Sequence, residues 1–228
     1  MEFKKETFIT ADGSHTFFMP ELNEYYHSHH GAIQEARHVF LKNGFHYFEN
    51  KAEITILEVG FGTGLNALLT CLEAEIFQKK ITYFGLEAFP LEENQVSELN
   101  YSEQIKEENA TEFFEKIHAA NWEKMTEITP FFQIQKIKES VQNLTLPQNS
   151  IDLIYFDAFG PRVQPEMWSL KLFEKLNRLC KKDACFVTYC AKGQVKRDLK
   201  SAQFIVETLQ GPPGKREMVR AAKVQLKS

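Results

Sequence analysis

Two acids and a run of glycines in this sequence have the types and spacing of a ligand site. Gly60, Gly62 and Gly64 alternate with Phe61 and Thr63 directly after the apolar stretch that ends at Val59, and Leu65 to Gln78 follows with helical spacing and few breakers. A buried strand, a tight glycine loop and a helix start bring free backbone N–H groups close to a ligand that side chains would hold away. Such a unit suits a nucleotide-type ligand. The dinucleotide fingerprint wants Gly or Ala three residues after its second glycine, and here that position is Leu65. The same glycines also fit a plain turn. Glu87 ends the run Ile81-Thr-Tyr-Phe-Gly-Leu, and Asp157 ends Ile151-Asp-Leu-Ile-Tyr-Phe. Open α/β sheets bind ligands at the carboxyl ends of their strands, where an acid accepts hydrogen bonds from ribose hydroxyls. Glu87 fits that role and Asp157 would sit at the mouth of the site; each also fits a surface acid or a loop cap.

These residues need strands to carry them. Glu2 to Thr10 alternates, Ala11-Asp-Gly-Ser turns, and Thr16 to Met19 resumes an apolar run, so a small β-hairpin precedes the main fold. The stretch Tyr25-Tyr26-His27-Ser-His29-His30 cannot put its three histidines on one helical face and has no paired acid. It reads as a pocket-lining loop whose rings can stack on a base, rather than a metal site. Ala32 to Leu41 then predicts a helix, ended by Asn43-Gly44. After Phe89-Pro90-Leu91, helices are expected over Glu92 to Asn100 and through the polar stretch Asn100 to Thr129. Phe131 to Ile137 alternates as a strand, at whose end Glu139 is a candidate adenine contact. Pro165 opens a helix reaching Leu179. Ala184 to Cys190 and Gln203 to Thr208 predict strands, Lys192 to Ala202 a basic helix, and Lys215 to Val224 a closing strand. Strands alternating with helices give an α/β, doubly wound, mostly parallel sheet, with residues 1–50 as an extension on the substrate side and residues 51–228 as the main domain.

Composition bounds the function. The chain has 228 residues, 20 of them Phe, which suits one domain with a sizeable core. No apolar run has the length of a membrane span, and Met1 to Glu6 lacks the apolar core of a signal peptide. The four cysteines form no C-x-x-C pair, so buried thiols are expected rather than a zinc site or disulfides. These points predict a cytoplasmic protein. The net charge of −4 argues against indiscriminate nucleic-acid binding, yet residues 192–228 hold nine Lys/Arg against three Asp/Glu. A basic end on an acidic body suits a polyanion meeting one face; a solvated helix and tail would carry the same charges.

The acidic-x-Gly-x-Gly-x-Gly pattern from Glu58 resembles the first motif of S-adenosylmethionine (SAM) methyltransferases. Four blocks together are similar to the methyltransferase domain of the bacterial bifunctional tRNA-modifying MnmC family, in stand-alone form. They are Tyr26-His-Ser-His-His-Gly-Ala with Glu35 and Val39-Phe-Leu; Glu58-Val-Gly-Phe-Gly-Thr-Gly-Leu-Asn; Asp157-Ala-Phe-Gly-Pro with Pro165-Glu-Met-Trp; and Gly214-Lys-Arg-Glu-Met. The resemblance implies a Rossmann-like class I fold and SAM as cofactor, held by Glu58, Gly60, Phe61, Gly62, Thr63, Gly64, Asn66, Glu87, Glu139 and Asp157. It implies methylation of the primary amine of 5-aminomethyl-(2-thio)uridine at the tRNA wobble position. Asp157 and Phe159 are then the catalytic candidates, Tyr26 and His27 line the acceptor side, and Lys192, Lys196, Arg197, Lys215, Arg216 and Arg220 meet tRNA phosphates. Bifunctional relatives add a flavin-dependent oxidase that frees the amine; a chain ending at Ser228 has no room for it, so a separate enzyme is expected to supply the amine. Lys138-Glu139 stands where the family tends to carry Gly-Asp, and Arg162-Val-Gln lacks the Lys-Asn often found before the Pro-Glu-Met-Trp block.

Three other readings are compatible with the residues. One is a SAM methyltransferase for a protein or metabolite amine. Another is a catalytically silent SAM- or tRNA-binding module. The third, a nicotinamide oxidoreductase, is disfavoured by Leu65.

Overall fold

The structure, a computed structural model, describes residues 4–223. Strands β1 (Glu6–Ile9), β2 (His15–Met19) and β3 (Glu24–Tyr25) form a small antiparallel sheet. The expected hairpin is thus present with a third strand; Glu2 and Phe3 lie outside the described residues, as does Val224 at the far end. Helix α1 (Ala32–Ala36) runs into wider π-type turns over Arg37–Lys42, where the sequence predicts a regular helix to Leu41. Val39, Phe40 and Leu41 in these wider turns are all buried in the core. A 3₁₀ turn over Phe45–Phe48 leads into β4 (Glu53–Val59).

Then follow α2 (Leu65–Phe77), β5 (Lys80–Leu86), α3 (Glu93–Val96), α4 (Tyr101–Gln104), α5 (Ala110–Ala119), β6 (Thr126–Thr129), β7 (Phe132–Ile137) and β8 (Ile151–Phe156). The chain closes with α6 (Leu170–Leu179), β9 (Cys180–Thr188), α7 (Gly193–Ser201), β10 (Phe204–Gln210) and β11 (Glu217–Lys223). The large sheet has the order β10-β11-β9-β8-β4-β5-β7-β6. Its five middle strands, β9 to β7, run parallel, while β11 and β6 are antiparallel to their neighbours. Two apolar clusters cover its two faces. One is built on α2 and α5, the other on α6 and α7. This is the doubly wound, mostly parallel sheet expected from sequence.

Three further stretches differ from expectation. The polar run to Thr129 is not helical to its end, because Thr126–Thr129 pairs with β7 across a turn at Pro130; Thr and Ile fit a pleated edge, and cross-strand pairing overrides local polarity. The helix expected over Glu92 to Asn100 is only the short α3, capped by a reciprocal Glu92–Gln95 box. The helix expected from Pro165 is split. Pro165–Trp168 is a 3₁₀ turn, Ser169 is extended, and α6 starts afresh with the Ser169 hydroxyl accepting from Leu172 N–H. The split turns Trp168 under Phe156, 4.9 Å between ring centres, and lets its Nε1 donate to the Phe159 carbonyl at 2.8 Å. The four cysteines are free and buried. Among the described residues, no helix is long and apolar enough to cross a membrane.

Candidate cofactor and acceptor site

The carboxyl ends of β4, β5, β7 and β8 open into a cavity of about 1170 Å³. The glycine loop forms its floor. Gly60 and Phe61 both donate their N–H to the Leu86 carbonyl at 3.0 Å, which ties the loop to the end of β5. Gly60 is left-handed (φ 93°), and a Cβ there would stand 2.6 Å from the Asp157 carbonyl oxygen. Close approach of β4 to β8 therefore requires glycine. Gly64 (φ 75°) begins α2. At Gly62 (φ 49°) an added Cβ would instead project toward the Tyr26 ring, 3.4 Å away across the cavity. Gly62 lines the cavity within van der Waals reach of that ring, and its N–H donates to Glu87 at 3.0 Å. The second Glu87 oxygen accepts from Phe89 N–H at 2.9 Å, so the acid is held at the strand end facing the loop.

Behind the floor, one amide joins two carboxylates. The Asn66 Nδ2 donates to Glu58 Oε1 and to Asp157 Oδ2, both at 2.9 Å, and the Tyr83 hydroxyl donates to the other Glu58 oxygen at 2.8 Å. Glu58 is fully buried. Burial pushes its pKa well above the usual carboxylate range, against the Asn66 and Tyr83 hydrogen bonds. Asp157 is half-buried at the cavity wall. Burial first, and the nearby Glu35 carboxylate second, push its pKa up to about 7, opposed by the Asn66 hydrogen bond and the Lys215 ammonium.

The opposite wall comes from the N-terminal extension. Tyr26 meets Phe159 edge to face, ring centres 5.1 Å apart. His27 bonds through Nδ1 to the Thr16 hydroxyl at 2.9 Å, and burial, opposed by Glu35, lowers its pKa to about 4, so it is neutral at neutral pH. Glu35 accepts from Ser28 N–H at 2.9 Å and pairs with the Lys215 ammonium, which lies 3.9 Å over the Tyr189 ring. The Tyr189 hydroxyl in turn donates to the Ala158 carbonyl at 2.9 Å, next to Asp157.

The expected residues fall into three groups. Gly60, Gly62, Thr63, Asn66, Glu87, Glu139, Asp157, Phe159, Tyr26 and His27 all line the cavity. Glu139 is exposed at its rim and bound to Ser140 N–H and the Asn143 amide. Phe61 lines it with backbone, since its ring is buried against Trp122 and His118. Glu58 and Gly64 lie just behind the lining. Of the six basic residues expected to meet tRNA, Lys215 alone lies in the wall. Lys192, Arg197 and Arg216 are exposed, whereas Lys196 is paired with Glu217, and Arg220 with Glu207 and the Tyr47 ring. Glu35 and Tyr189 belong to the wall without any role assigned from sequence. Glu35 sits in a predicted helix where an acid is ordinary, and Tyr189 ends an apolar strand that reads as core.

A family model described as S-adenosyl-L-methionine-dependent methyltransferase matches residues 100–224. The chain is 29% identical over 213 residues to the tRNA 5-methylaminomethyl-2-thiouridine biosynthesis bifunctional protein MnmC of Hydrogenovibrio crunogenus, covering 86% of this chain and 31% of that protein. It is 30% identical over 233 residues to the like-named protein of Pseudoalteromonas atlantica, with 92% and 32% covered. The chain thus spans about a third of the length of these relatives. Among solved structures, MNMC2 from Aquifex aeolicus matches with a TM-score of 0.81 at 22% identity over 99% of this chain and 74% of that one. Spermidine synthase from Thermotoga maritima matches with a TM-score of 0.55 at 10% identity over 98% and 74%. Both structures share the fold.

Proposed function

We propose, for a chain that belongs to the family of S-adenosyl-L-methionine-dependent methyltransferases, that it methylates the primary amine of 5-aminomethyl-(2-thio)uridine at the tRNA wobble position. The cofactor is S-adenosyl-L-methionine. The relatives' name ends on a 5-methylaminomethyl product, and an N-methyl group on that side chain is what a methyltransferase adds. The observation that carries the reading is Asp157. It stands at the end of β8, fixed by Asn66, in a cavity floored by the glycine loop.

The residues present fit the cofactor. Gly62 and Glu87 line the cavity side by side, the glycine adding no side chain between a ligand and the Tyr26 ring and the Glu87 carboxylate serving as an acceptor for ribose hydroxyls at the strand end. Glu139, exposed at the cavity rim just after β7, meets the adenine in this reading. Bound, the cofactor supplies an electrophilic methyl group. The chain's own residues align the acceptor with it, which is the main source of acceleration in such a transfer.

An alkyl amine titrates near roughly pH 10, and only its neutral form attacks. Asp157 takes a proton from the arriving ammonium and holds the neutral amine by a hydrogen bond from its N–H, so the methylated product leaves as a secondary ammonium and Asp157 returns its proton to solvent. A carboxylate with a pKa near 7 suits this, because it stabilises ammonium less than an ordinary one. The Tyr26–Phe159 pair offers a ring surface to the acceptor base. Lys192, Arg197 and Arg216 contact tRNA phosphates and position without reading sequence. The amine is supplied by a separate enzyme, and the protein works in the cytoplasm.

Offering labelled SAM with bulk tRNA, a lysine-rich protein and small amines in parallel tests the reading. Label is expected in tRNA, and label only in protein or small amines would move the activity to another acceptor.

A further inference from the structure

The cavity carries an acidic excess, with seven Asp or Glu residues in its lining against three lysines. A site meant only for the anionic backbone of an RNA would show the reverse. The lysine whose charge acts on Asp157 is Lys215, and that charge is already engaged. Its ammonium pairs with Glu35 and lies on the Tyr189 ring, with Glu35 fixed from the other side by Ser28 N–H. With Asp157 ionised, Asp157, Glu35 and Lys215 therefore present one net negative charge to whatever enters. A primary amine arriving as ammonium balances that charge. An amine that still carries a carboxylate arrives as a zwitterion, leaves the wall's charge unbalanced, and meets in Lys215 a cation that Glu35 already holds.

We propose that the Glu35–Lys215 pair determines acceptor specificity: it admits a 5-aminomethyl group and rejects a 5-carboxymethylaminomethyl group on the same uridine. The inference rests on the amine-methylation reading above and assigns selectivity within it. Rejection works by denial of a partner, since discrimination is often built from unpaired charges against the wrong ligand.

The test compares tRNA carrying each group as ligand, by binding affinity and by methyl transfer, in the native protein and in Glu35→Gln. Glutamine keeps an oxygen for Ser28 N–H and turns its amide toward Lys215, so the wall stays built while the lysine charge is released. The native protein is expected to favour the aminomethyl tRNA, and Glu35→Gln to narrow that preference by about tenfold or more, through tighter binding of the carboxylate-bearing tRNA. Adding Lys215→Met to Glu35→Gln should restore the rejection, which a loss of structure would not do. Lys215→Met alone leaves Glu35 unopposed and should widen the preference, which decides the matter if Glu35→Gln does not fold. An unchanged ratio in folded Glu35→Gln, a double variant as permissive as the single one, or a narrower ratio in Lys215→Met would overturn the proposal. Absence of transfer to either tRNA by the native protein would instead overturn the reading on which it rests.

Discussion

Asn66 Nδ2 lies 2.9 Å from Asp157 Oδ2 and 2.9 Å from Glu58 Oε1, so one buried amide group holds the half-buried acid of the cavity and the buried acid behind it. Both hydrogens of the amide are used, which fixes its orientation. Replacing Asn66 with Ala leaves the two carboxylates without their bridge. A hydrogen bond to a charged group contributes about 2 kcal/mol, or roughly thirtyfold. We expect Asn66→Ala to lower kcat by about that factor, measured by methyl transfer at saturating SAM and tRNA. A kcat equal to that of the native protein would show that Asp157 needs no such support.

The raised pKa of Asp157 predicts a pH profile. The acceptor role needs the carboxylate, so kcat/KM should rise through a limb near pH 7 as Asp157 ionises. In Asp157→Asn that limb should vanish along with most of the turnover, while SAM affinity stays. For stability the sign is the opposite. A folded pKa above the unfolded value near 3.9 favours the folded state while the group is protonated, and this contribution is lost as pH rises from about 4 through about 7. Asp157→Asn should therefore gain stability relative to the native protein on going from pH 5 to pH 8, read from denaturant midpoints. A persistent limb in Asp157→Asn would assign the titration to another group.

The glycine loop predicts a ranking. At Gly60 a Cβ meets backbone at 2.6 Å, whereas at Gly62 it meets the edge of a tyrosine ring at 3.4 Å. Both are left-handed, which costs an alanine about 1 kcal/mol on its own. Gly60→Ala should therefore lower the melting temperature more than Gly62→Ala. Gly62→Ala should act mainly on SAM affinity, because its methyl group enters the cavity. Calorimetry and ligand titration on the two variants check this, and the reverse order would place the ligand elsewhere on the loop.

Asp152 provides a contrast at the opposite end of the sheet. Its carboxylate accepts from Lys51 at 2.9 Å, Lys181 at 2.6 Å and Thr55 N–H at 2.9 Å, with the side chain only 3% exposed. Its removal leaves the Thr55 N–H without its acceptor and two lysines that water still reaches, which costs about 2 kcal/mol. Asp152→Ala should lose about that much stability and leave the KM for SAM unchanged, measured by urea unfolding and by steady-state kinetics. A changed KM would reveal coupling through the sheet.

The fold was largely legible in the sequence because its strands are short apolar runs that end in glycine or an acid, as with Ile54–Val59 and Ile151–Phe156. The glycine loop, Glu87 and Asp157 were legible for the same reason: backbone demands and strand-end acids are local signals. What was not legible depends on distant partners. Thr126–Thr129 reads as polar helix until β7 pairs with it. Glu35 and Lys215 are 180 residues apart in sequence, and only the packing of the extension against the turn before β11 makes them one unit. Lys196 and Arg220 read as basic patch residues, and their ion pairs with Glu217 and Glu207 come from tertiary neighbours.

That division of the basic residues has a consequence for tRNA. Lys192, Arg197 and Arg216 are exposed, so replacing each with Ala should weaken tRNA binding and reduce the salt slope by roughly 0.9 for every phosphate no longer neutralised. Lys196→Ala and Arg220→Ala should change the slope less. Filter binding across a salt series checks this, and a slope that does not respond to the exposed three would move the tRNA face elsewhere.

The most direct measurement is nucleoside identification after reaction. The purified protein is incubated with methyl-labelled SAM and tRNA whose wobble uridines carry the 5-aminomethyl group, and the tRNA is digested and its nucleosides separated by mass. Label is expected in 5-methylaminomethyl-(2-thio)uridine, and its loss in Asp157→Ala with SAM binding retained. Native protein that binds both SAM and this tRNA yet leaves the 5-aminomethyl group unmethylated would contradict it.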